Sequence, residues 1–116
     1  MKYVSTRGQA PDLGFSDALL AGLARDGGLY VPKEWPVLLA DEIRALRGLP
    51  YPELAIRLLT PFVDGEIRQD AFERIVREAY ATFRHPAVCP IVQVGANSFI
   101  LELFHGPTLA FKDVAM

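Results

Sequence analysis

The sharpest pattern in the chain is QDAFERIVREAYATF, residues 69–83. There Ala71, Phe72, Ile75, Val76, Ala79, Tyr80 and Phe83 form one apolar stripe at helical spacing. Glu73 and Arg77, like Arg74 and Glu78, stand four apart on the polar side, and such pairs add about 0.2–0.5 kcal/mol each. The spacing predicts a second helix over residues 50–63, with Leu54, Ala55, Leu58, Leu59 and Phe62 on one face and Pro61 set to kink or end it. A third, over residues 38–47, rests on Leu39, Ile43 and Leu46. Residues 16–25 read as a helix capped by Ser16, with Phe15 stapled onto Leu20 and with Gly27 or Gly28 as its left-handed end.

Strand signals fall between these helices. KYVST (residues 2–6) and LYV (29–31) are short and rich in β-branched and aromatic residues, the second stopped by Pro32. IVQV (91–94) and SFILELF (98–104) predict a hairpin around Gly95, Ala96 and Asn97. Behind the turn HGPT, Thr108 stands where it could cap a helix starting at Leu109. The order predicts an α/β chain: a mixed sheet with flanking helices and antiparallel elements.

Composition narrows the function. Of 116 residues, 51% are hydrophobic, enough for a core and too many for disorder. Twelve basic and fourteen acidic residues leave a net charge of -2 with no basic stripe, which speaks against nucleic acid and anionic membranes as partners. No apolar run reaches membrane-spanning length and the first residues do not read as a secretory signal, so a cytoplasmic protein is expected. The single cysteine, Cys89, excludes an internal disulfide and reads as a small buried residue. His85 and Cys89 lack a third partner for a metal site.

Candidate chemistry gathers at Lys112. It would lie in the first turn of the last helix, where the helix dipole and the apolar Leu109, Ala110 and Phe111 both disfavour an ammonium. A Schiff-base lysine or a general base needs that environment. A solvated lysine paired with Asp113 fits the spacing as well. His105 could serve a site or cap the turn. Ser5, Thr6 and Arg7 have the donors to grip a phosphate, or they form an ordinary strand-end loop.

Three segments settle the direction: YVSTRG (residues 3–8), FSDALLAGLARDGGLYVP (15–32) and LELFHGPTLAFKD (101–113). In that order the chain resembles the threonine synthase family, pyridoxal 5'-phosphate enzymes of the tryptophan-synthase-β-like fold type II. The resemblance implies an N-terminal domain over residues 1–85 and the start of the catalytic domain over 86–116. It implies that Lys112 is the catalytic, cofactor-bearing lysine, that Phe111 lies against the cofactor ring or else joins the core, and that Asp113 orients the helix or the loop. The implied substrate is O-phosphohomoserine; the oligomeric state stays open. It further implies a portion of a longer enzyme, inactive alone, whose glycine-rich phosphate loop lies elsewhere. Another fold-type-II lyase or dehydratase is the nearest alternative, although members of that group do not open with such segments. A stand-alone α/β binding or interaction module without catalysis is the other.

Overall fold

The computed structural model describes residues 1–115. Its elements in chain order are β1 (Tyr3–Ser5), α1 (Phe15–Ala21), β2 (Tyr30–Pro32), α2 (Ala40–Ala45), α3 (Tyr51–Val63), α4 (Gln69–Ala81), β3 (Ile91–Gly95), β4 (Ser98–Leu101) and α5 (Lys112–Ala115). The α/β class holds. The strands, however, form two separate antiparallel pairs, β1 with β2 and β3 with β4, in place of one mixed sheet.

The core sits where α3 packs on α4: Ala55, Ile56, Val63, Phe72 and Val76 are buried together, with Phe15, Tyr51, Ile67 and Tyr80 packed around them. The α4 stripe is thus split. Phe72 and Val76 enter the core, whereas Ile75 remains 48% exposed. The α3 face is rotated from the sequence expectation, because Ala55, Ile56 and Val63 point inward and Leu58 and Leu59 stay partly open. Both expected ion pairs form on α4, and Arg77 also grips Glu53 of α3 through two hydrogen bonds of 2.8 and 3.1 Å.

The β1–β2 pair docks through Tyr3, whose hydroxyl donates to the Phe62 carbonyl at 2.7 Å. Burial, then the nearby Glu66 charge, pushes the Tyr3 phenol up from its ordinary value.

Helix ends depart from the local reading. Ser16 does not cap α1. Glu66, fifty residues on, accepts the Phe15 and Ser16 amides at 2.8 Å each, placing a carboxylate where the helix dipole favours one. A side chain at Gly14 would meet that carboxylate at 2.5 Å. Gly22, at φ 66°, ends α1 early, so Leu23 to Leu29 form a tight bridge and not the last helical turn. Leu20 is 85% exposed and cannot staple Phe15, which instead meets the Tyr3 ring at 6.2 Å. Pro61 does not stop α3, which runs two residues further, to Val63, and ends at the left-handed Asp64.

The remainder of the chain is built differently. Every residue of β3 and β4 is exposed, with Ile91, Val94, Phe99, Ile100 and Leu101 all open. The radius of gyration, 16.5 Å, exceeds the ~14 Å expected of a compact domain this long.

Candidate functional site

The site candidates are positioned by the turn after β4. The chain runs from Leu101 to His105, whose carbonyl accepts the Arg84 amide at 2.9 Å. Gly106 is buried, and Leu109 takes the left-handed φ of 63°, uncommon for a side-chain-bearing residue. That conformation prevents a helix from starting at Leu109. It starts at Lys112, with the Asp113 amide bonded to the Ala110 carbonyl at 3.0 Å.

Lys112 therefore opens α5 with its side chain exposed, and it makes no ion pair among the described residues. Leu109 and Phe111, at 55% and 63% exposure, do not cover it, so the apolar shielding expected from the sequence is absent from this surface. Nor does Asp113 pair with it. The Asp113 carboxylate turns back to Thr108, accepting its amide at 2.9 Å and its hydroxyl at 2.6 Å. The expected Thr108 cap is thereby inverted: the chief bonds run from Thr108 to Asp113, and the Ala110 amide reaches Thr108 Oγ1 only at 3.4 Å.

Phe111, the residue before Lys112, leaves its ring open to solvent. His105 lies in the same turn, but its Nε2 meets Glu102 Oε2 at 2.7 Å and its ring stacks between His85 at 5.1 Å and Phe104 at 4.7 Å. The two histidines are neighbours in space, yet the described residues contain no group of three metal-binding side chains.

Ser5, Thr6 and Arg7 are brought together elsewhere, around the turn at Asp26. The buried Ser5 hydroxyl donates to Asp26 Oδ1 at 2.7 Å, Thr6 Oγ1 accepts the Leu29 amide, and Arg7 Nη1 donates to the Asp26 carbonyl at 2.9 Å. Desolvation raises the Asp26 carboxyl, but hydrogen bonds from Ser5, Gly28 and Gln9 outweigh it and hold the group below its ordinary value. Neither hydroxyl nor guanidinium is joined to Lys112 by a hydrogen bond among the described residues.

The loop between α4 and β3 supports the turn from behind. Val88 is 2% exposed with φ 57°, and the Cys89 amide bonds to the Ala87 carbonyl across it at 2.5 Å. A β-branched residue in that region is strained and persists only where packing fixes it. Cys89 itself is half-buried. Burial first, then Cys89 and Tyr80, push the Tyr51 phenol up to about 12.

Sequence reasoning named Asp113 as an orienting residue but did not find its partners. Thr108 and Asp113 are five apart across a non-helical turn, and local helix-cap spacing does not flag that pair. Asp26 could have been found, because Asp-Gly-Gly is a turn signal.

The residues present fit the covalent end of an aldehyde cofactor: an exposed primary amine at Lys112, with an exposed aromatic residue one position before it. Comparison with known proteins bears on that fit. Residues 2–80 match the family described as threonine synthase N terminus. The chain is 57% identical over its whole length to threonine synthase of Pseudomonas aeruginosa, of which it covers 25%. A solved structure of PLP-bound threonine synthase from Brucella melitensis matches 99% of the chain and 25% of its own, with 73% identity and a TM-score of 0.96. The yeast threonine synthase structure matches 98% of the chain and 24% of its own, at 37% identity and a TM-score of 0.90. The chain thus spans about a quarter of the length of the curated relatives it matches.

Proposed function

The chain belongs to the threonine synthase family, and we propose that it supplies the N-terminal part of an enzyme converting O-phospho-L-homoserine and water into L-threonine and phosphate. The observation that carries the proposal is the exposed, unpaired Lys112 amine at the mouth of the 101–113 turn, in a chain so like a threonine synthase solved with PLP bound.

In this reading Lys112 Nζ holds pyridoxal 5'-phosphate covalently and afterwards takes up and returns the proton moved on the substrate. The bound cofactor supplies the electron sink. Phe111 provides an apolar wall for the cofactor ring. In the overall reaction, a carbon–oxygen lyase step, phosphate departs from the γ-carbon and water adds at the β-carbon. Ser5, Thr6, Arg7 and His105 stay outside the chemistry, because their polar atoms hold the Asp26 turn and the Glu102 pair.

We further propose the division suggested by the sequence, residues 1–85 as an N-terminal domain and 86–116 as the start of the catalytic domain, in a protein of the cytoplasm. The exposed faces of β3 and β4 support that division, since two apolar faces left open call for covering structure. The 116-residue segment by itself is expected to be inactive, because a lone amine lacks the surroundings that place a substrate.

The test uses the full-length protein loaded with pyridoxal 5'-phosphate. It should show the visible band of the lysine-bound cofactor and release phosphate from O-phosphohomoserine, and Lys112→Ala should abolish both. A band that survives the substitution would overturn the role given to Lys112.

A further inference from the structure

The Asp113 carboxylate has both of its oxygens committed within the turn that carries Lys112. Oδ2 accepts the Thr108 amide and Oδ1 the Thr108 hydroxyl. The ring closes through the Leu109 amide on the Gly106 carbonyl at 3.3 Å and the Asp113 amide on the Ala110 carbonyl at 3.0 Å. Gly106 is buried beneath the same carboxylate, and a side-chain carbon there would overlap the Asp113 Cβ and lie 2.7 Å from its Cγ. A flexible tip could swing away from such a clash; a Cβ fixed to the backbone next to Lys112 cannot.

We propose that Gly106, Thr108 and Asp113 form a positioning clamp for Lys112: the carboxylate, seated on Gly106 and bonded twice to Thr108, fixes the backbone from which the lysine projects. Asp113 is here a positioning residue, and its charge is turned away from the amine. The clamp rests on the role proposed above for Lys112 and adds what orients it. Its physical basis is local. The left-handed Leu109 stores backbone strain, and charge-assisted bonds to Asp113 are the restraint that holds the turn in that shape. Displacing a reacting group by about 1 Å lowers rates by about a hundredfold, so loss of the clamp should register in the chemistry before it registers in folding.

The experiment compares Asp113→Ala, Asp113→Asn and Gly106→Ala in the full-length protein. Readouts are phosphate release, the affinity for pyridoxal 5'-phosphate, and the pH midpoint of the lysine-bound visible band. Asp113→Ala and Gly106→Ala should each lower kcat by about tenfold to a hundredfold and shift the midpoint. Asp113→Asn, which still offers an acceptor to the Thr108 amide and a donor to its hydroxyl, should stay within about threefold of the parent. An Asp113→Asn protein as impaired as Asp113→Ala would overturn the clamp. So would parent-like kcat and midpoint in Gly106→Ala. Should Asp113→Ala fail to fold, Asp113→Asn and Gly106→Ala decide alone. Lys112→Ala separates the two readings: if it keeps the band, the lysine's role fails. If it loses the band while the clamp variants match the parent, the clamp alone fails.

Discussion

Residues 3–82 and residues 83–115 are built on opposite principles. The first region buries its own apolar side chains: of the nine buried hydrophobic residues among those described, all but Val88 lie at or before Val76. Its parts are tied at long range, through Tyr3 on Phe62, Glu66 on α1 and Arg77 on Glu53. In the second region, both strands and much of the Lys112 turn stand open to solvent. Yet its bonds are no looser; the Thr108 hydroxyl meets Asp113 at 2.6 Å, as closely as the Tyr3 hydroxyl meets the Phe62 carbonyl at 2.7 Å. The difference teaches that local order and burial are separate achievements. The first region is arranged to hold itself together; in the proposed function, the second holds the Lys112 amine in place.

The comparison breaks most easily in the core. Phe72→Ala should destabilise the segment by about 3–5 kcal/mol in denaturant unfolding, as deletion of a buried ring does. Phe99→Ala, on the open β4, should move the same transition by less than about 0.5 kcal/mol; an equal effect of the two would erase the contrast. A smaller effect is expected at the long-range cap. Glu66→Ala should lower the melting temperature, whereas Glu78→Ala, on the exposed side of α4, should leave it nearly unchanged.

The acid limb of stability sharpens the comparison further. The Glu66 carboxyl is held below its ordinary value by the Ser16 and Phe15 amides, and Asp26 lies low for the reasons given above. For a group whose folded value is depressed, the stabilisation is fully present above the unfolded value, near pH 4, and is lost as pH falls through the folded value. Asp26→Asn and Glu66→Gln should each flatten the loss of stability below about pH 4, read from melting temperature against pH. Unchanged acid slopes in both variants would contradict the account of these turns.

Most of the first region was legible because its signals are local. The α4 stripe and its two ion pairs follow from spacing alone, as does the β3–β4 turn of the second region, and the resemblance carried the family. What escaped was long-range. No local rule tells that Glu66 caps a helix fifty residues earlier, or that Gly22, not Gly27, ends it. The Lys112 turn was legible as a motif but not as a geometry. Leu109 was expected to begin a helix; its left-handed backbone moves the start to Lys112 and frees Asp113 to reach back to Thr108. Propensity favours a helix at Leu109, and the closed ring of bonds overrides it.

The central claim is that the open region exists to present Lys112. Reduction of the cofactor-loaded full-length protein with borohydride, followed by peptide mass mapping, tests it most directly. The account predicts the cofactor mass on the peptide containing Lys112 and none on the peptides containing Lys2 or Lys33. A cofactor mass on any other lysine, with the Lys112 peptide unmodified, would contradict it.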